Sequence, residues 1–307
     1  MIPIRLGLVG IGKIARDQHI PAIANDPGFT LVATASPNDI LAGVPAYGSI
    51  EHLLDQHPDL DAVSLCTPAV GRHAQAVAAI AAGRHVMLEK PPTATLGEIA
   101  DLKARAEAAG VALFTTWHSR EAAGVAPARA WLIDKRIMAM RIVWKEDIRR
   151  WHPGQEWILA KGGFGVFDPG INALSIATCL LPEALLLQSA WMDVPEGRGA
   201  PLAAGLEMRS GTASVTADFD FREAGPQTWD IEVDTDAGTL RLSMGGSVLQ
   251  LPGQDEQRSA DSEYRRLYAR FADLVTTRRS DVDVRPLEIV VDAFMLAERR
   301  TTGSFSF

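Results

Sequence analysis

From residue 4 onward, short apolar runs alternate with longer amphipathic stretches. Ile4-Arg5-Leu6-Gly7-Leu8-Val9 is a run of strand length that is apolar almost throughout, the pattern of a strand buried on both faces of a parallel sheet. A helical periodicity follows to about residue 25. Further runs at 29–35, 60–66, 86–92 and 111–115 are separated by helical patterns over about 71–82 and 96–109, the second ended by Gly110. Strands and helices alternating at this spacing predict a doubly wound parallel sheet, an α/β architecture, over residues 1–119. After a helix ending near Lys135 the pattern changes. Residues 141–149, 211–221 and 229–251 alternate apolar and polar positions, with Trp229, Ile231 and Val233 facing one way and Asp230, Glu232 and Asp234 the other. Such alternation predicts a largely antiparallel sheet with one wetted face, making residues 120–307 a second, α+β domain. Helical patterns near 261–278 and 285–300 are expected to pack back on the first domain, and residues 195–201 to form a loop.

Two strand ends in the first half carry candidate chemistry. The first strand runs directly into Gly10-Ile11-Gly12-Lys13-Ile14-Ala15, a GxGxxA pattern between strand and helix. Its glycines allow a tight turn and the close approach of a pyrophosphate to a helix N-terminus, and small Ala15 lets the helix pack on the strand. The run at 86–88 ends in Glu89-Lys90-Pro91-Pro92. Proline lacks an N–H and stops the ladder, so Lys90 should project beyond the carboxyl end of the sheet, where ligands of such folds bind. The second strand ends at Ser36-Pro37-Asn38. An acid there would hold the ribose 2′-hydroxyl of NAD, and a nearby arginine would favour NADP. Neither is present, so the sequence points to NADP or NAD, with a lean to NADP.

Composition removes several classes. In 307 residues, hydrophobic positions make up 47% and charged ones 22%, as in a soluble globular protein of two-domain size. The net charge is −8, with 38 acids against 30 lysines and arginines and no basic cluster, which argues against nucleic acid or an anionic membrane surface. Cys66 and Cys179 are far apart and belong to no metal-ligand pattern, so each reads as a small buried residue and no metal site is expected. No leader pattern and no membrane-length apolar run is present, which points to the cytoplasm.

In the second half, strand alternation places Glu146 on the face of Ile142, Trp144 and Ile148, where a carboxylate is costly unless paired or bound. A strand-end residue turning to solvent would read the same way. The loop Arg149-Arg150-Trp151-His152-Pro153-Gly154-Gln155-Glu156-Trp157 offers two indoles and an imidazole, which suit the C–H faces and hydroxyls of a sugar. The alternative is a loop that anchors the sheet by its tryptophans. In Gly162-Gly163-Phe164-Gly165-Val166-Phe167-Asp168-Pro169-Gly170-Ile171-Asn172, a helical 168–172 puts Asp168 and Asn172 on one face. Asp before Pro is also a common helix start, so Asp168 could be a cap.

Together the GIGKIA turn at 10–15, Thr67-Pro68, Glu89-Lys90-Pro91 and Gly162-Gly163 with Asp168 and Asn172 resemble the Gfo/Idh/MocA oxidoreductase family over essentially the full length. Trp117-His118-Ser119-Arg120 and Trp144-Lys145-Glu146-Asp147 narrow the resemblance to members that oxidise the C1 hydroxyl of pyranoses such as L-arabinose and D-galactose to the lactone. The resemblance implies a Rossmann domain, an open, mostly antiparallel sheet in the second domain, and a homodimer through that sheet. It implies Lys90, Asp168 and Asn172 as catalytic, with His118, Glu146, Trp151 and His152 around a monosaccharide. The cofactor positions are Gly10, Gly12, Lys13, Ile14, Ser36, Thr67, Pro68, Glu89, Lys90 and Trp157. Many members carry histidine where Asn172 stands. An amide takes no proton at neutral pH, so the acid/base role moves to Asp168 or Lys90, with Asp168 the favoured base because a carboxylate gains basicity out of water. An inositol or other polyol dehydrogenase and a non-catalytic sugar sensor on the same scaffold are the alternatives.

Overall fold

The apolar run at the start of the chain forms β1 (Ile4–Val9), whose Leu6 and Leu8 are wholly buried. In the computed structural model, which describes residues 2–260 and 262–307, β1 is an inner strand of a six-stranded sheet. The others are β2 (Phe29–Ala35), β3 (Ala46–Tyr47), β4 (Ala62–Leu65), β5 (His85–Glu89) and β6 (Leu113–Thr116), in the order β3-β2-β1-β4-β5-β6. Every pairing in it is parallel. The order reverses between β1 and β4, so a crevice opens beyond their carboxyl ends, where open α/β sheets bind ligands.

The chain divides into two compact units. The first takes residues 1–117 and 264–284, the second residues 118–263 and 285–307. In the first unit the helix Leu96–Ala109 ends at Gly110 in the left-handed region, as its pattern predicts, and begins with a reciprocal capping box between Thr95 and Glu98. The helix Glu263–Thr277 buries Tyr264, Leu267, Tyr268, Phe271 and Leu274 in a core shared with Leu6, Phe29 and Phe114. The helix Arg285–Leu296, expected on the same domain, lies instead in the second unit against the helix Phe167–Leu180.

The second unit is built on a nine-stranded sheet. Its strands are β7 (Ile137–Lys145), β8 (Leu185–Pro195), β9 (Ala203–Ser210), β10 (Ala213–Asp220), β11 (Thr228–Thr235), β12 (Gly238–Ser243), β13 (Val248–Gln250), β14 (Gln257–Arg258) and β15 (Glu298–Thr302). Most neighbours are antiparallel, while β10 with β7 and β15 with β8 run parallel. On one face Phe167 meets Phe219 edge to face, with the helix Phe167–Leu180 buried along nearly its whole length. The other face is polar, with Arg141 paired to Glu232 and Arg241 to Asp230. That division is the one the alternation at 229–234 predicts.

Several elements depart from the expected pattern. β7 starts and ends earlier than residues 141–149, because the chain turns into the short helix Ile148–Trp151 capped by the Asp147 carboxylate. β8 lacks clean alternation and its register shifts between Leu187 and Ser189, a bulge that hides a strand from period-two reading. β15 is a charged edge strand of Glu298, Arg299 and Arg300, so the helical pattern drawn over 285–300 really ends at Leu296. Cys66 and Cys179 are half-buried rather than buried. Among the described residues no helix is long and apolar enough to cross a membrane.

Candidate functional site

In the first unit the candidate residues gather at the carboxyl ends of β1, β4 and β5. Gly10 adopts φ +87°, and a Cβ there would lie 2.8 Å from the Thr67 backbone nitrogen, so only glycine lets the β1 turn pass the end of β4. A Cβ at Gly12 would meet nothing within 4 Å, which leaves that side of the turn open to a ligand. Ala15 is fully buried against Leu8 and Ile11, and the helix it opens begins as a π-turn over Ala15–His19. A glycine turn with open space, at the switch point of the sheet, fits a dinucleotide pyrophosphate. Lys13 is exposed and paired with Asp17, Ile14 is half-buried, and the Ser36 N–H donates to the Tyr47 carbonyl. The Thr67 hydroxyl donates to Gln75 Oε1 at 2.6 Å, and Pro68 is exposed.

The sequence has no arginine near Ser36, yet the fold brings one to that loop. Arg16, on the helix after the glycine turn, donates to Asp39 Oδ1 and to the Ile40 carbonyl, both at 3.3 Å.

Glu89 and Lys90 close β5. Lys90 is half-buried, and the Lys90–Pro91 peptide is cis. The Glu89 carboxylate points inward: Oε1 accepts from His19 Nε2 at 3.0 Å and from the Tyr264 hydroxyl at 2.8 Å, and Oε2 accepts from the Lys90 N–H at 2.9 Å. On its other nitrogen, His19 meets the Tyr268 hydroxyl at 2.8 Å. Burial lowers the His19 pKa, but Cys66, Tyr268 and the bond to Glu89 outweigh it and hold the imidazole well above its ordinary value. Burial also raises the Tyr268 hydroxyl. Arg72, which is 2% exposed, grips the main chain of the same two strand ends. Its guanidinium donates to the carbonyls of Thr67, Glu89 and Pro91. A rigid fork of five donors can bridge three carbonyls at once, which an ammonium cannot do in one plane. Sequence reading passed over Arg72, His19 and Tyr264, because only β4–β5 pairing and a helix from residue 263 bring them to the motif.

In the second unit the fold brings Glu146, His152 and Asp168 together. His152 Nε2 lies 3.8 Å from Glu146 Oε1 and 3.8 Å from Asp168 Oδ2. These are ion-pair separations, longer than hydrogen bonds, and such distances often tighten only when substrate is present. Glu146 is 6% exposed, which excludes a side chain turned to solvent. Its Oε2 accepts from Trp229 Nε1 at 3.0 Å. Asp168 is also buried and lies inside the helix Phe167–Leu180, whose N-cap is Val166, so it is not the cap. Asn172 follows one turn later on that helix and is half-buried. Trp151 crosses Trp229 edge to face at 5.4 Å, and its Nε1 donates to Gln227 Oε1 at 3.2 Å. The Asp147 N–H donates to the same amide oxygen at 2.6 Å, so Gln227 holds the turn that presents Trp151 and His152. His118 Nδ1 meets Glu263 Oε2 at 2.6 Å, and Trp157 is 44% exposed.

The glycines before Asp168 approach the protein's own backbone rather than open space. A Cβ on Gly163 would fall 2.4 Å from the Ile158 carbonyl oxygen, and one on Gly165 2.2 Å from that of Pro201. The Val166 N–H donates to the Pro201 carbonyl at 2.7 Å. These glycines therefore set where the helix starts and where Asp168 stands. Gln227 and Trp229, which sequence reading did not place in the site, arrive through the register of β11 on β7, where Trp229 lies opposite Trp144. Among the described residues no group of three or more His, Cys, Asp or Glu side chains forms a metal site.

Residues 4–116 match the family model GFO_IDH_MocA, described as an oxidoreductase family with an NAD-binding Rossmann fold. A galactose 1-dehydrogenase of Pseudomonas fluorescens is 44% identical over 306 residues, 99% of either chain. The crystal structure of a D-galactose-1-dehydrogenase from Rhizobium etli aligns with a TM-score of 0.93 at 49% identity, over 100% of this chain and 99% of that one. A 3-ketoreductase from Actinomadura kijaniata in complex with NADP aligns at a TM-score of 0.82 over 98% of this chain and 99% of that one, and its 18% identity makes this a likeness of fold.

Proposed function

The chain belongs to the Gfo/Idh/MocA oxidoreductase family, and on that footing we propose that it is an NAD(P)+-dependent aldose 1-dehydrogenase. Its substrates are pyranoses of the D-galactose and L-arabinose type, which share configuration from C1 to C4, and its product is the lactone. The observation that carries the reading is the meeting of Asp168, Glu146 and His152 beside Trp151 and Trp229. Buried carboxylates and indole faces in one place suit a polyhydroxylated ring, whose hydroxyls need partners and whose C–H faces stack.

Gly10, Gly12, Lys13 and Ile14 would hold the pyrophosphate, Ser36 the adenosine ribose, and Thr67, Pro68 and Trp157 the remainder, with Glu89 behind Lys90. A bound oxidised nicotinamide dinucleotide supplies the hydride acceptor. An Asp168 carboxylate oxygen takes the proton of the C1 hydroxyl, a general-base contribution of roughly 10²–10⁴-fold. Lys90 Nζ donates to O1 and stabilises the negative charge that grows there. Asn172 orients the ring through its amide, while His118, Glu146, Trp151 and His152 hold the other hydroxyls and exclude water. Arg16 supports NADP as the preferred cofactor, since a guanidinium held against the loop after Ser36 can meet a 2′-phosphate. A homodimer through the open face of the second sheet and a cytoplasmic location complete the reading.

The test is a panel of aldoses and polyols, each with NAD+ and NADP+, followed by the absorbance of the reduced nicotinamide. Turnover should be highest with D-galactose or L-arabinose, and Lys90→Ala and Asp168→Asn should depress it far more than they weaken cofactor binding. Turnover of inositol in place of the aldoses would make the enzyme a polyol dehydrogenase. Tight sugar binding with no reduction would make it a sensor.

A further inference from the structure

Glu89 ends β5 beside the proposed catalytic lysine, yet it is 3% exposed and its carboxylate faces away from solvent. A carboxylate withdrawn from water needs donors, and here they come from remote parts of the chain. His19 belongs to the helix that follows the glycine turn, and Tyr264 to the helix Glu263–Thr277. The second oxygen of the same carboxylate accepts the Lys90 N–H at 2.9 Å. Arg72 holds this strand end from the main-chain side, through the Glu89 and Pro91 carbonyls.

We propose that His19 is a positioning residue for Lys90: by holding the Glu89 carboxylate, it fixes the main chain from which the Lys90 side chain extends. The proposal rests on the reading of Lys90 as catalytic. The Tyr268 hydroxyl at Nδ1 fixes the ring so that Nε2 addresses Glu89, and charge-assisted bonds of this kind are about twice as strong as neutral ones. Loss of the imidazole leaves Glu89 a donor short, and the carboxylate turns or takes a proton. Either way the Lys90 amide is released and its ammonium loses its aim. A misplacement of about 1 Å can cost roughly 10²-fold in rate.

The experiment is a double-mutant cycle with wild type, His19→Leu, Lys90→Ala and the double variant, read in kcat and in cofactor Kd by fluorescence titration. His19→Leu should lower kcat by about tenfold or more, with cofactor Kd changed less than about threefold, and His19→Gln, which restores a donor, should recover most of the loss. On the Lys90→Ala background His19→Leu should cost less than about twofold, because residues acting through one group are not additive. Hydrogen exchange of the Leu88, Glu89 and Lys90 amides, in cofactor-free protein, should quicken in His19→Leu but not in Lys90→Ala. Equal losses in both backgrounds, or unchanged exchange, overturn the proposal. Normal turnover by Lys90→Ala alone would instead overturn the reading of the lysine. If His19→Leu does not fold, His19→Met takes its place: a longer, adaptable apolar side chain fills the buried ring's space without supplying a donor, and the same background dependence decides.

Discussion

Ser36 and Arg16 show what a single position can and cannot disclose. At the end of β2 the sequence offers a serine where an acid or an arginine would name the cofactor. The fold brings a charge to that loop from elsewhere: Arg16 approaches from the helix after the glycine turn and pairs with Asp39. Both side chains are about half exposed, so the pair contributes little to stability, about 0–1 kcal/mol for surface pairs in general. On the proposed reading it could still decide selectivity, because a 2′-phosphate would compete with the Asp39 carboxylate for the guanidinium. Asp39→Asn should therefore raise the ratio of kcat/KM for NADP+ over NAD+ by roughly three- to tenfold, taking about 1 kcal/mol as the worth of one exposed charge contact. Arg16→Ala should lower that ratio. Unchanged ratios in both variants would remove the pair from cofactor selection.

At the scale of elements, the segment before Asp168 is defined by backbone contact. Gly165 has φ +55°, and the Pro201 carbonyl occupies the place of its Cβ. Gly165→Ala should cost about 1–3 kcal/mol from the left-handed backbone alone, with more from the clash, and should lower kcat by shifting the helix that carries Asp168. Urea unfolding measures the first effect and steady-state kinetics the second. β5 begins with a pH-dependent contact of its own. The Ala112 N–H donates to His85 Nδ1 at 2.8 Å, and burial, helped by Arg278, lowers the imidazole pKa. A folded value below the unfolded value of about 6.5 means that the unfolded chain binds the proton first. The His85 contribution is thus complete above about pH 6.5 and is lost as pH falls through the folded value. His85→Asn, which keeps an acceptor near Nδ1 and cannot titrate, should flatten the fall in stability on the acid side. His19, with its raised pKa, has the opposite sign: its contribution is complete below about pH 6.5 and declines as pH rises through the folded value.

At the scale of the whole molecule, cofactor binding should appear as stability. A ligand that binds the native state alone stabilises it by about 2.7 kcal/mol at a hundred times its Kd. NADP+ at that excess should raise the urea midpoint accordingly, and an unchanged midpoint would show that the glycine turn binds no dinucleotide. The sequence by itself determined the elements whose signals are local. Five of the six parallel strands, the glycine turn, the helix Leu96–Ala109 with its Gly110 end, and the apolar and polar faces of β11 all follow from neighbouring residues and a fixed period, whereas the two-residue β3 was too short to show one. It also singled out Glu146, His152 and Asp168, because histidine and acids on apolar or aromatic stretches are unusual. Elements whose pairing is set by distant chain escaped it, such as the bulged β8 and the charged edge strand β15. Only tertiary structure decided the partners of the site residues: Trp229 on Glu146, Gln227 on Trp151, and His19, Tyr264 and Arg72 around Glu89. The physical reason is that hydrogen bonds are read over about 3 Å in space, whereas sequence pattern is read over a few residues along the chain.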